Sequence, residues 1–297
     1  MPCLYFNSIS RRTAMFRVMS FVALLSLLAL NACNTKTSES DKQAAAATKI
    51  SIEVLVVDDV PGREMDIDLF DGGPMTKEER LAFMPNGKAP AAVNVFVLKS
   101  GDQTYLIDAG FGNAVKDGRI DAGKVDAVFI THAHGDHISG LLKEDSTANF
   151  NAAVYISAPE SYYWLNADTP NSALQKKIED VYGNRYKTFA FGDTLVPGVV
   201  AIDASGHTPG HTAFLVDMGD KKMLVAGDFL HAAALQFPNP EECARFDMDR
   251  DASIKRRIEL MQMCIDNNWL IAGIHIPGGF GTVKSNGDGG FEFTPYQ

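Results

Sequence analysis

Cysteine is scarce. There are four in 297 residues, and only Cys243 and Cys264 lie beyond position 33. One candidate pair does not make the disulfide framework that holds small extracellular scaffolds together, so both read as packing residues. Basic runs are missing too: 27 Lys and Arg stand against 37 Asp and Glu, a formal net charge of −10. Nucleic-acid binding draws most of its affinity from clustered cations that neutralise phosphates, so no nucleic-acid partner is expected. No apolar run reaches the roughly 20 residues of a permanent membrane-spanning helix. Histidine is absent from the first 131 residues, and all seven lie between 132 and 275. What is present is a 46% hydrophobic chain, enough for a substantial buried core, although length alone leaves one domain or two open.

The most apolar stretch near the start, Phe21 to Leu30, follows Arg11, Arg12 and Arg17 and runs into Asn31-Ala32-Cys33. A basic segment, about ten apolar residues and a small-residue ending are the parts of a cleaved signal peptide, here residues 1–32. Leu30-Asn31-Ala32-Cys33 resembles the lipobox of bacterial lipoproteins. That resemblance implies an acylated Cys33 as mature N-terminus, membrane contact through lipid only, and a periplasmic or outer-membrane place in the cell envelope. Met15 would make a more compact signal start than Met1. Cleavage removes three arginines and takes the formal charge from −10 to −13. Residues 33–48 are polar and low in complexity and read as a flexible tether, which leaves 49–297 for the folded domain.

Three histidines fall within six positions in Thr131-His132-Ala133-His134-Gly135-Asp136-His137, after the strand-like run Val125 to Ile130. In extended chain, residues i and i+2 project to one side, so His132 and His134 can reach one metal ion. Gly135 permits a sharp turn that would aim Asp136 and His137 at a second. Three imidazoles and a carboxylate at one strand end are hard to satisfy otherwise, because each buried unpaired polar group costs roughly 1–3 kcal/mol. Further strands end in matching fashion. Val199 to Ile202 leads to Gly206-His207-Thr208-Pro209-Gly210-His211, Lys222 to Ala226 to Gly227-Asp228, and Trp269 to Ile274 to His275.

In this order HAHGDH, GHTPGH, AGD and the late His275 resemble the metal-binding series of the metallo-β-lactamase superfamily, over residues 49–297. The stretches LVPGVVAIDASGHTPGHTAFLV, VAGDFLHAAALQF and LIAGIHIPGG are most similar to its methyl-parathion-hydrolase and lactonase-like branch. The resemblance implies an α/β fold, a four-layer αββα sandwich of two similar halves. It implies two zinc ions per chain, with manganese, iron or cobalt as alternatives. His132, His134 and His211 would hold one ion, Asp136, His137 and His275 the other, and Asp228 would bridge them; His207 is expected to support the site and not to be a ligand, because His211 occupies the matching position. Paired ions can share a hydroxide that attacks a carbonyl carbon or phosphorus, with Asp136 and Asp228 catalytic. The substrate is then a small lactone, ester or organophosphate triester.

Departures narrow the choice. Asp228 stands where class B β-lactamases carry Cys or another residue, which argues against a β-lactam substrate. Phe229, Leu230 and His231 follow Asp228 without the tyrosine some lactonases use, so His231 is a candidate substrate contact. A thioester hydrolase of glyoxalase II type would usually carry basic residues for its anionic substrate, and the acidic charge disfavours it. A non-catalytic periplasmic metal-binding lipoprotein is the remaining alternative. Asp58 to Pro90 is expected to form a lid. Phe70, Phe83, Phe237 and Trp164 are candidates to line an apolar pocket. Asp108 is expected to support the ligand loop, and Asp251 to Asn267 to form a helix with Ile254, Ile258, Met261 and Ile265 on its buried face.

Overall fold

A computed structural model describes residues 51–296. The signal peptide expected at 1–32, Cys33 and the tether expected at 33–48 lie outside the described residues. Among those described, no helix is long and apolar enough to cross a membrane.

The first half contributes β1 (Glu53–Asp58), β2 (Glu64–Asp66), β3 (Lys88–Pro90), β4 (Asn94–Ser100), β5 (Gln103–Ile107), β6 (Ala127–Phe129), β7 (Ala153–Ser157) and β8 (Tyr186–Phe189). The second contributes β9 (Thr194–Val196), β10 (Val199–Asp203), β11 (Thr212–Asp217), β12 (Lys222–Val225), β13 (Leu270–Ala272), β14 (Phe280–Ser285) and β15 (Phe291–Pro295). One sheet runs β1-β4-β5-β6-β7-β8 and the other β15-β14-β13-β12-β11-β10-β9. β5, β6, β7 and β8 are parallel neighbours, and in the second sheet only β12 and β13 are.

Strand periodicity explains why two sheets and two helix layers form. Along β4, Phe96 and Leu98 join a core with Phe129, Phe214, Met223 and Val225, so the sheets pack face to face through it. The alternate residues Val95 and Val97 point the other way, into a cluster with Trp164, Ile178 and Tyr182. These last three sit on helices α1 (Ala158–Asn166) and α2 (Pro170–Tyr182). In the second sheet Leu224 and Ile271 meet Leu260, Met261 and Cys264 of helix α3 (Arg250–Asn267). Strands buried on both faces need a helix layer outside each sheet, which gives the αββα order.

The helices start where side chains can cap them. Ser157, Thr169 and Asp249 accept from the backbone N–H groups of Glu160, Ser172 and Ala252, each worth about 1 kcal/mol. α3 confirms the expected helix but turns differently. Its buried line is Ser253, Arg257, Leu260, Met261 and Cys264, and of the four apolar residues expected to lead, only Met261 is fully buried. The rotation satisfies the buried Arg257, which donates to the carbonyls of Phe229, Pro240 and Glu242.

The expected lid is a packed element. β2 and β3 form a hairpin whose Met65, Ile67, Phe70 and Met84 make a core of their own against Ala232, Leu235 and Ala244. Beneath it, Arg80 pairs with the buried Glu242 at 2.6 Å.

Candidate metal centre

The first loop is shaped by Asp108, which ends β5 in a left-handed conformation, φ 60°. Its carboxylate accepts from the Thr131 backbone N–H and hydroxyl, both at 2.8 Å, and from His137 Nδ1 at 2.7 Å. The chain beyond β6 is thereby pinned, and His137 turns Nε2 inward. His132 is anchored through Nδ1, 3.1 Å from the Thr131 hydroxyl. The short helix Gly135–Ile138 then carries Asp136 and His137.

From the second half come His207, Asp228, His231 and His275. Asp247 Oδ1 holds His207 Nδ1 at 2.7 Å, which leaves His207 Nε2 to lie 2.9 Å from His134 Nδ1. His275 donates from Nδ1 to the Ala92 carbonyl at 2.8 Å, and its Nε2 reaches Asp228 Oδ2 at 3.1 Å.

His211 requires a correction. Its Nδ1 donates to the Ala204 carbonyl at 2.9 Å and its Nε2 accepts the Asp228 backbone N–H at 2.8 Å. Both nitrogens are used, so no lone pair remains for an ion. The packing is tight: a Cβ on Gly227, where φ is +62°, would lie 2.3 Å from His211 Nε2. The imidazole that joins His132 and His134 is His207, which the sequence reading had assigned to support.

Asp228 Oδ2 is the hub. Imidazole nitrogens of His275, His231, His137, His207 and His132 lie 3.1, 3.2, 3.3, 3.6 and 3.7 Å from it. Burial opposes ionisation of Asp228, but His137, His275, His231 and His132 outweigh it and hold the carboxyl well below the usual range. Burial and then His207 push His134 down to about 3, while burial and then His137 push His132 well below the ordinary value. For His137, burial alone would lower the value, yet Asp228, Asp108 and Asp136 raise it.

The donor set fits metal ions. Among the described residues, the buried side-chain nitrogens and oxygens without a hydrogen-bond partner are His137 Nε2, Asp228 Oδ1 and both nitrogens of His231, all at this one place. Orphans of this kind are rare in folded proteins and call for a missing partner. Ligand atoms of His132, His134, His207 and Asp228 lie within 4.8 Å of one another, as do those of Asp136, His137 and His275, and those of Asp228, His231 and His275. Imidazole with carboxylate is chemistry that suits zinc and its neighbours.

Residues 89–264 match the family model of the metallo-beta-lactamase superfamily, more than half of the chain. The chain belongs to the metallo-beta-lactamase superfamily. It is 30% identical over 161 residues to the uncharacterized protein YobT of Bacillus subtilis (strain 168), a match spanning 50% of this chain and 65% of that one. Its fold is similar to that of AidC, a dizinc quorum-quenching lactonase solved with a product, with a TM-score of 0.75 at 24% identity over 84% of this chain and 96% of that one. The hydrolase AbOPH, described as in the beta lactamase superfamily, gives a TM-score of 0.70 at 27% identity, again over 84% and 96%.

In this metallo-beta-lactamase fold the mouth of the centre faces solvent at Asp136, whose side chain is 20% exposed. Three further residues touch the centre. Arg63, just ahead of β2, places Nη2 3.7 Å from Asp136 Oδ2. Phe246 stands edge-on to His207 and His231, with centroids 5.7 and 5.1 Å away. Trp164 meets His134 at 5.6 Å. Phe70 and Phe237, expected in a pocket, are fully buried in separate cores, and Phe83 packs against the hairpin core. Asp247, Arg63 and Phe246 were missed, since no spacing marks them; only Asp247's distance of 40 positions from His207 shows how non-local the contact is. A surface groove of about 490 Å³ lined by Phe111, Lys116, Glu144 and Asn149 includes none of the histidines, so chemistry and not concavity locates the site.

Proposed function

We propose that this protein is a secreted, lipid-anchored dinuclear zinc hydrolase that cleaves a lactone, ester or organophosphate triester. The observation that carries the reading is the convergence of five imidazoles on Asp228 Oδ2 together with four unpaired buried atoms. His132, His134 and His207 would hold one ion and Asp136, His137 and His275 the other, with Asp228 shared. Bound ions would supply Lewis acidity and a water acidified towards neutral pH.

The chain's own residues set the rest. Asp108 and Asp247 fix the imidazoles of His137 and His207 by their Nδ1 atoms, which holds their Nε2 atoms towards the centre. Asp136, at the mouth, would orient the attacking water. His231, whose Nε2 lies 3.2 Å from Asp228 Oδ2 and whose nitrogens make no hydrogen bond, would contact the substrate. Arg63 is the one Lys or Arg within 4 Å of Asp136 among the described residues, and Phe246 and Trp164 offer aromatic walls. A substrate with an apolar acyl or aryl group and little negative charge suits such a mouth. The likeness in fold to a dizinc lactonase and a hydrolase supports the same class.

Acid release by the purified zinc-loaded protein on an acyl-homoserine lactone and on an aryl phosphotriester tests this, with Asp228→Ala as the blank. Turnover lost in the blank is expected, and the faster substrate chooses between lactonase and phosphotriesterase. Absence of turnover on both, with metal bound, would overturn the substrate class. Anchoring is tested separately: Cys33→Ala should move the protein from the membrane to the soluble fraction.

A further inference from the structure

Helix α1 carries a buried carboxylate that belongs to none of the motifs. Glu160 is fully buried, and no Lys or Arg among the described residues pairs with it. Its Oε1 accepts from the Ala133 N–H at 2.9 Å and from Trp164 Nε1 at 2.6 Å. Its Oε2 accepts from the Thr208 hydroxyl and the Gly210 N–H, both at 2.8 Å. Three of these partners are N–H groups that can only donate, so both carboxyl oxygens are engaged as acceptors.

The partners' positions matter more than their number. Ala133 lies between His132 and His134, while Thr208 follows directly on His207 and Gly210 lies three residues beyond it. One side chain therefore ties together two loops from opposite halves of the sandwich, at the three histidines of a single group. The fit leaves no slack: a Cβ on Gly210 would stand 2.1 Å from the Glu160 backbone nitrogen, and the Ser157 hydroxyl donates to the Gly210 carbonyl at 2.6 Å. The other group is held by different means, His137 by Asp108 and His275 by the Ala92 carbonyl.

We propose that Glu160 is a positioning residue that sets the spacing of the His132–His134 and His207 loops, and so governs one of the two metal ions selectively. The inference rests on the metal-centre reading above. Replacement by Gln keeps the size but turns an amide donor towards groups that themselves donate, leaving at least one buried N–H unpaired.

The test is cobalt titration of the metal-free protein, followed by visible d–d absorption and by metal content after dialysis, for wild type and Glu160→Gln. Wild type is expected to take up two equivalents. Glu160→Gln should keep one step unchanged and weaken the other about 10- to 100-fold, the usual cost of losing an outer partner of a metal site, with the spectral change confined to that step. Equal weakening of both steps, or two steps of wild-type affinity, would overturn the proposal. Should Glu160→Gln not fold, Thr208→Val removes one of the four bonds at nearly constant shape and should weaken the same step about fivefold; an unchanged titration there overturns it equally. A wild type that binds no metal would overturn the metal-centre reading and this inference together.

Discussion

The two histidine loops look alike in sequence and behave differently in the fold. After β6, His132, His134 and His137 all turn a nitrogen to the centre, and Asp136 closes the series. Between β10 and β11, only His207 does so, and His211, four residues on, spends both nitrogens on the backbone of Ala204 and Asp228. The difference lies in what the far nitrogen of each ring meets. Where Thr131, Asp108 or Asp247 takes one nitrogen, the other faces the side chains of the centre; where backbone takes both, the ring becomes a strut. An imidazole's role is therefore written in its second partner and not in its motif.

The largest test of this contrast removes the shared residue. Asp228→Asn should abolish paired metal binding and cut hydrolysis by more than the roughly 100-fold that loss of an outer partner costs, as read by metal analysis and turnover. Next comes the pair that separates ligand from strut. His207→Ala should lose about one metal equivalent with little change in metal-free stability, whereas His211→Ala should keep its metals and lose about 2–4 kcal/mol in urea melts; the reverse pattern would restore His211 as a ligand. Asp247→Asn, which loosens His207 without touching an ion, should weaken metal binding about 10-fold or more.

The acid side offers a finer distinction. Burial and then His207 push His211 down to about 3, below the value near 6.5 of an unfolded histidine. A depressed folded value means the neutral ring stabilises the fold fully above about pH 6.5, and that contribution is lost as pH falls towards about 3. Metal-free His211→Gln should therefore show a shallower loss of stability between pH 6.5 and 4 than wild type. The smallest effect is expected at Arg63, whose half-exposed pairing with Asp136 is worth at most about 1 kcal/mol; Arg63→Gln should alter KM a few-fold and leave metal content intact.

Much of the architecture was legible because strands buried on both faces produce short apolar runs that end where polar ligands begin. The loop 131–137, Asp228 and His275 stood out as candidates by that grammar, whereas the αββα order was implied by the family resemblance. Choosing between His207 and His211 did not. Both flank one Pro-Gly turn, and the deciding groups, Asp247 and the Ala204 carbonyl, are set by tertiary packing. The face of α3 was misread for a related reason: a hydrophobic pattern cannot foresee that Arg257 is buried to serve three carbonyls. Phe246 and Arg63 carry no local signal at all, since a residue at the rim of a site is defined by what lies across the opening.

Asn94, at the start of β4, donates from Nδ2 to the carbonyls of Gly273 at 2.9 Å and Ile276 at 2.8 Å, and so clasps the loop that bears His275. The clasp joins positions 179 and 182 apart in the chain. The centre is therefore complete only when both ends of the domain are in place: the first 260 residues include the whole histidine loop and lack His275, one corner of the cage. If the metal centre forms as proposed, the rate of metal uptake after dilution from denaturant is expected to time the docking of the His275 loop against β4.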